Sequence, residues 1–268
     1  MLKDITLGQY FPLNSVIHRI DPRIKIISVI IIIVAVFFCK TLISFALATA
    51  FNIAVIMASK IKMRTVLKAL KPILFIIVFT AIINLFLTKG ENYLIKWKFI
   101  SITSEGVIAA VVMAMRIVLL VSFSSLLTFT TSPIMLTDGI ESLLKPFSKI
   151  GLPVHELAMM MTIALRFIPT LLEETDKIIM AQKSRGADFE SGSIIKRAKA
   201  LVPILVPLFV NSFRRADELA TAMECRCYRG GDGRTRLNEL RLTGADVFAF
   251  AIIVICSTAI ILIGVFEI

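Results

Sequence analysis

The stretch Val247–Phe266 reads VFAFAIIVICSTAIILIGVF, 20 residues without a charged side chain. An α-helix needs about 20 apolar residues to cross the roughly 30 Å hydrocarbon core of a bilayer. The whole chain agrees with this segment: 57% of its 268 residues are hydrophobic, against about 45–50% in ordinary soluble domains. The sequence therefore predicts an all-α integral membrane protein.

Other apolar segments precede this one. Ile26–Ala58, interrupted only by Lys40, predicts a tight hairpin of two short spanning helices. Two further apolar segments follow it, the second of which contains Arg116. We therefore expect about five transmembrane helices, divided between an N-terminal set in residues 1–130 and a C-terminal helix, with a long region at 131–243 between them. The predicted spans are 24–39, 41–58, 72–88, 106–130 and 244–268.

Lys and Arg lie mainly on one side of these spans. Residues 1–25, 60–71 and 131–243 hold 25 of the 30 Lys and Arg, and the opposite loops hold four. Because cations concentrate in cytoplasmic segments, we expect the N-terminus and residues 131–243 in the cytoplasm and the C-terminus outside. The formal net charge of +11 is assigned to contact with the anionic headgroups of the lipid bilayer rather than with nucleic acid.

The sequence pattern of residues 131–243 predicts long amphipathic helices in the cytoplasm. Pro133 begins the first, which ends near Lys149. The second runs from about 154 to 185, with Gly186 as a left-handed cap, and the third from about 194 to 229. Apolar residues on the last two either pack within the protein or form a groove for a partner, a role that suits methionine. Those considered for a partner surface are Met160, Met161, Leu201, Leu205 and Phe209.

A short pattern occurs twice, 41 residues apart, at the predicted ends of the two long helices. One copy comprises Asp176, Ala181, Ser184, Arg185 and Gly186, and the other comprises Asp217, Ala222, Cys225, Arg226 and Cys227. Small neighbours let another backbone approach each guanidinium, which is a rigid fork of hydrogen-bond donors. An Arg near a helix C-terminus can instead serve only its own last carbonyls. The duplication favours two similar binding sites on partner proteins.

Motifs for catalysis or cofactor binding do not occur in the sequence. It lacks a phosphate-binding loop, H-E-x-x-H and a nucleophile elbow. Cys225 and Cys227 have no further metal ligands nearby, so we expect reduced, packed side chains. Arg116 is an ionisable residue in the middle of a predicted span, and is either a functional group or a hydrogen-bond donor inside the bundle. We expect no catalytic, cofactor or metal site.

Five motifs occur in order along nearly the whole chain. They are HRIDPRIK at 18–25, RFIPTL at 166–171, AQKSRGAD at 181–188, AMECRCYRG at 222–230 and RT at 234–235. In this order and spacing they resemble the transmembrane coupling subunits, EcfT, of energy-coupling factor (ECF) transporters. The two signatures of that family usually read Ala-Arg-Gly. Cys227 replaces the usual glycine here, which leaves the cap geometry at this position open.

The resemblance implies a four-part ABC importer in a prokaryotic cell membrane. Two ABC-type ATPases would receive the two arginine-tipped helix ends. An integral-membrane S component would capture a vitamin or related micronutrient and dock on the apolar residues of the long helices. The residues implied in ATPase coupling are Ala181, Ser184, Arg185, Gly186, Ala222, Cys225, Arg226 and Cys227. ATP would be used by the partner subunits, and the chain itself would be non-catalytic.

Two other readings predict different features. A conventional ABC permease, whose spans line a substrate path, normally offers one cytoplasmic coupling loop per subunit rather than a duplicated Arg signature. A membrane-embedded enzyme would need clustered Asp, Glu or His at the interface, which the sequence lacks. The coupling subunit is therefore the favoured interpretation.

Overall fold

The computed structural model describes residues 10–88, 93–97, 100–189, 193–230 and 240–266. Within these ranges the chain forms ten α-helices and one pair of short β-strands. The helices are α1 (Val16–Arg19), α2 (Pro22–Phe37), α3 (Leu42–Ser59), α4 (Met63–Leu70), α5 (Leu74–Leu87), α6 (Ser104–Thr130), α7 (Pro133–Leu144), α8 (Val154–Ser184), α9 (Ile194–Cys225) and α10 (Gly244–Phe266). The predicted all-α membrane protein is confirmed.

The two strands form a local departure from the helical pattern. β1 (Tyr93–Trp97) pairs antiparallel with β2 (Ile100–Thr103) between α5 and α6. Two short 3-10 helices also occur in the described residues: Lys71–Ile73 joins α4 to α5, and Lys145–Ile150 follows α7. The predicted ends at 267–268 and the RT motif at 234–235 lie outside the described residues.

Five helices in the described part of the chain are long and apolar enough to cross a membrane. They are Leu42–Ser59, Met63–Leu87 (α4, the 3-10 helix and α5 taken together), Ser104–Thr130, Val154–Ser184 and Gly244–Val265. The number of candidate spans agrees with the expected five, but the structure includes α8 and leaves out the predicted span at 24–39. α2 has 16 residues, about 24 Å of helix and less than the hydrocarbon thickness, whereas α8 is 31 residues long with an apolar first half. The assignment of spans to 24–39 and the region boundaries at 130 and 243 stay predictions.

Polar side chains at the helix starts explain several of these boundaries. Asp21 caps α2 by accepting from the Arg23 N–H at 2.8 Å, with Pro22 at the first helical position. Thr41 caps α3 and Thr103 caps α6 in the same way. Such oxygens satisfy N–H groups that have no partner within the helix, so the local sequence sets where each helix begins.

The described residues divide into two compact units, the first formed by 10–139 with 240–266 and the second by residues from 140 to 230. In the first unit, α2, α3, α6 and α10 pack around a buried apolar core. Core side chains include Val36, Phe45, Phe123, Phe129 and Ile260. At Gly264 a Cβ atom would overlap the carbonyl oxygen of Phe38, so glycine permits the close approach of α10 to the end of α2.

The 18–25 motif joins α2 to α6 and α10. The Lys25 Nζ donates to the Thr130 carbonyl at 3.1 Å and to the His18 carbonyl at 3.3 Å. Asp246 of α10 accepts from the Asp21 N–H at 2.8 Å. Because Lys25, Asp21 and Asp246 are all buried, each needs these partners to offset its lost hydration. The motif therefore stabilises the packing of this unit.

His18 takes part in the same region as a neutral side chain. Desolvation by burial lowers its pKa from the ordinary value. The neutral imidazole can donate from Nε2 to the Phe11 carbonyl at 3.0 Å and accept at Nδ1 from the Ser15 hydroxyl at 2.7 Å. It fixes the segment that leads into α2.

Arg116 hydrogen bonds within the helical bundle. Its Nη2 donates to the Cys39 carbonyl at 2.9 Å, and its guanidinium lies 5.9 Å from the centre of the Phe37 ring. The carbonyl lies just beyond the end of α2, where helix geometry leaves such oxygens without partners. Of the two roles considered for Arg116, the structure supports the one inside the bundle.

Candidate functional site: two arginine-tipped helix ends

The end of α8 is closed by two backbone hydrogen bonds around Arg185. The Gly186 N–H donates to the Lys183 carbonyl at 2.9 Å, and the Ala187 N–H donates to the Gln182 carbonyl at 3.0 Å. This pair of bonds is a Schellman motif, with Arg185 as the C-cap residue. It satisfies carbonyls that would otherwise be unpaired and fixes where the Arg185 side chain leaves the helix.

The end of α9 repeats this geometry bond for bond. The Cys227 N–H donates to the Glu224 carbonyl at 2.8 Å, and the Tyr228 N–H donates to the Met223 carbonyl at 3.0 Å. Arg226 is the C-cap residue. Each donor and acceptor stands 41 residues after its counterpart in α8. The repeated sequence therefore produces a repeated structure, not only a similar composition.

Both ends turn through a left-handed residue directly after the arginine. Gly186 has φ +85° and Cys227 has φ +55°. Glycine adopts this conformation freely, whereas a side chain with a Cβ costs about 1–2 kcal/mol there. Cys227 therefore keeps the cap geometry at the cost of backbone strain, although it replaces the glycine that is usual at this position.

The eight residues assigned to ATPase coupling are all exposed. No described residue forms a hydrogen bond or ion pair with the side chain of Arg185 or Arg226. The Ser184 hydroxyl donates back to the Met180 carbonyl at 3.0 Å, so it does not compete for the neighbouring guanidinium. Each end therefore presents an arginine fork between small side chains, open to a partner.

The packed side chains expected at Cys225 and Cys227 are not found. Both thiols are free and exposed, whereas Cys39 is buried in the first unit. They stand at a helix end that no described element covers. Among the described residues, no group of three His, Cys, Asp or Glu could hold a metal ion.

A polar contact that the sequence reasoning missed joins the two long helices. Glu174 of α8 accepts from Arg215 of α9 at 3.2 Å and also from the Asn211 amide. Glu174 and Arg215 are themselves 41 residues apart, in the register of the repeat. Arg185 lies 11 residues after Glu174 in α8, and Arg226 lies 11 residues after Arg215 in α9. Each distance is about 16 Å along the helix axis. The shared register was the signal that could have identified this pair.

The five residues considered for a partner surface are all exposed apolar side chains. Their exposed fractions are Met160 54%, Met161 47%, Leu201 48%, Leu205 46% and Phe209 60%. In α9 the neighbouring Ile204 is 5% exposed, so one side of that helix is covered while most of the segment 201–213 is open. Contiguous exposed apolar surface marks contact with a membrane or with another protein.

Comparison with known proteins places these features in a family. The CbiQ family, described as cobalt transport proteins, matches residues 13–237. Three curated relatives carry the name energy-coupling factor transporter transmembrane protein EcfT. The protein from Ruminiclostridium cellulolyticum is 56% identical over 98% of both chains, and that from Clostridium kluyveri is 57% identical over 96% of both. The protein from Acidaminococcus fermentans is 59% identical over 92% of this chain and 91% of its own.

The match covers the membrane helices together with both arginine-tipped ends, and the relatives are named as transmembrane subunits of transporters. This gives the chain a transport role rather than a catalytic one, as a multi-pass membrane protein. The chain belongs to the CbiQ/EcfT family of energy-coupling factor transporter transmembrane proteins.

Proposed function

We propose that the chain is the coupling subunit of an ECF-type ABC importer. In this role the ends of α8 and α9 bind two ABC-type ATPases, and the exposed apolar residues bind an integral-membrane S component. The observation that carries the proposal is the pair of matched helix ends, with the same Schellman bonds around Arg185 and Arg226. Two equal ends fit two equal partners.

The chemistry of each end supports binding to a recessed site. An exposed guanidinium between small side chains can enter a cleft and donate in two directions to carboxylates or carbonyls. Removing one partner of a charge pair that becomes buried costs about 2–5 kcal/mol. One arginine therefore contributes enough to decide association, and a second on another helix adds a separate contact.

The position of the Glu174–Arg215 pair suggests how motion passes through the chain. In α8 this contact lies between Met160 and Arg185, and in α9 it lies between Leu205 and Arg226. Each helix thus has its apolar segment on one side of the contact and its arginine on the other. When the ATPases close, displacement of the arginine ends turns both helices about this contact. The apolar surface changes shape, and the S component reorients and releases its substrate inward.

The remaining assignments follow the same proposal. The substrate is a vitamin or related micronutrient held by the S component, and ATP is used by the partner subunits. The chain lies in the plasma membrane of a prokaryotic cell, with its N-terminus and residues 131–243 in the cytoplasm and its C-terminus outside. The bias of Lys and Arg toward the first two segments supports this orientation.

Purification of the tagged chain from its native membranes in mild detergent tests the proposal. Mass spectrometry of the bound proteins is expected to identify two ABC-type ATPases and small hydrophobic membrane proteins. A folded, monodisperse chain that brings down neither class would contradict the coupling role. Direct binding of a transported solute to that isolated chain would favour a conventional permease instead.

A further inference from the structure

An apolar cavity of about 390 Å³ lies among α2, α3, α6 and α10, within the first unit. Its walls are mainly aliphatic and aromatic side chains, among them Ile20, Val29, Phe51, Phe123 and Phe248. Pockets that take small ligands begin at roughly 300 Å³ and are lined in this way. The arginine ends and the exposed apolar residues of α8 and α9 are no part of it.

A second, smaller cavity of about 250 Å³ adjoins the first and has polar and charged residues in its lining. Val16 and Ala58 line both cavities. Arg19 and Lys60 line only the smaller one, and both are exposed. Neither forms an ion pair with any residue that the structure describes. Two cations without counterions thus stand where the apolar cavity meets the surface.

Ser28 supplies an independent sign of an occupant. Its side chain lines the apolar cavity and is only 3% exposed, yet its Oγ has no hydrogen-bond partner in the described part of the chain. A buried hydroxyl without a partner is costly, and such groups are rare in folded proteins. Ser28 is the seventh residue of α2, about 9 Å along the helix from its start. An oxygen acceptor at that depth would satisfy it.

We propose that the two cavities together bind one anionic phospholipid. The phosphate lies between Arg19 and Lys60, one acyl chain fills the apolar cavity, and an ester oxygen accepts from the Ser28 hydroxyl. Because the helices of this unit lie in a bilayer, such lipids surround the site at high concentration.

Native mass spectrometry of the full chain, purified in mild detergent and stripped of lipid, tests the site directly. Phosphatidylglycerol and phosphatidylcholine with the same acyl chains are titrated separately. Each cation near an anionic headgroup contributes about fivefold in affinity, so R19Q/K60Q is expected to weaken phosphatidylglycerol binding about 25-fold. The control K62Q/R64Q removes two cations of the neighbouring segment that line neither cavity, and is expected to bind like the unaltered chain.

A second pair of variants tests the apolar part. Ala58→Phe places a ring in the wall shared by both cavities and is expected to abolish binding of both lipids. Ala46→Phe, at an exposed position of α3 that lines neither cavity, is expected to have no effect. Equal binding of the two lipids to the unaltered chain would overturn the proposal. So would retention of phosphatidylglycerol by Ala58→Phe, or its full displacement by millimolar-range inorganic phosphate.

Discussion

Cys227 is the position at which one substitution tests the geometry of an arginine-tipped end. Its φ of +55° lies in the left-handed region that glycine adopts without strain. At the equivalent Gly186, nothing lies within 4 Å of where a Cβ would be, so only the backbone conformation distinguishes the two residues there. We therefore expect Cys227→Gly to tighten the end of α9 without changing any side-chain contact that the cap depends on.

The magnitude follows from the cost of a left-handed residue. Replacing Cys227 by glycine should remove about 1 kcal/mol of backbone strain, the low end of the penalty, because glycine also gains conformational freedom in the open state. This free energy corresponds to a change of about fivefold in the equilibrium constant for opening of the cap. The Tyr228 amide, bonded to the Met223 carbonyl at 3.0 Å, reports on opening of the cap. Hydrogen exchange resolved to single amides should show it exchanging about fivefold more slowly in Cys227→Gly.

A matched change two residues earlier provides the control. Cys225 is the last residue of α9, so Cys225→Gly makes the same chemical change inside the helix, where glycine costs about 0.5–1 kcal/mol. The Tyr228 amide should then exchange faster. Unchanged or faster exchange in Cys227→Gly, or slower exchange in Cys225→Gly, would refute the assignment of the cap.

Three further predictions concern other contacts. Asp246→Ala removes the acceptor for the Asp21 N–H and for the Thr243 N–H. Because a buried donor is left unpaired at a cost of about 2 kcal/mol, the melting temperature in detergent should fall by about 5 °C. An unchanged melting temperature would contradict the stabilising role of the motif at 18–25. The double variant Glu174→Arg/Arg215→Glu should recover about 0.5–1 kcal/mol of the stability that either change loses alone. The value is small because the Arg215 side chain is 35% exposed. If the stability losses of the two single variants simply add in the double variant, the two side chains do not interact. Leu205→Asp should release the S component and retain the ATPases, whereas the control Ile195→Asp, also at an exposed position of α9, should release neither. Loss of the ATPases from Leu205→Asp would mean that the two surfaces are assigned wrongly.

The long helices and their ends could be predicted from the sequence because their signals are local. Turn residues at Gly151 and Gly186 mark the limits of α8, and its predicted range of 154–185 differs from the observed helix by one residue. The predicted end of α9 was four residues late, because the tail after Cys225 carries no glycine until Gly230. The repeated pattern led directly to the matched caps, since a Schellman motif depends only on neighbours within one turn.

Features that depend on distant residues could not be predicted in the same way. The partner of Arg116 is the backbone carbonyl of Cys39, just beyond the end of α2, and such a contact leaves no trace in composition or spacing. The Glu174–Arg215 pair requires two helices to meet at one point, and only its 41-residue register hinted at it. The assignment of short apolar stretches to spanning or surface helices depends on the bilayer as well as on length.

The central claim is that Arg185 and Arg226 each hold one ATPase. The most direct test measures how much of each ATPase co-purifies with the full chain carrying Arg185→Glu, Arg226→Glu or both. The control is Lys177→Glu/Arg214→Glu, which makes the same change in net charge at exposed positions of α8 and α9. We predict that each single reversal weakens ATPase retention, that the double reversal abolishes it, and that the control keeps it. Full retention by a correctly folded double variant would contradict the claim.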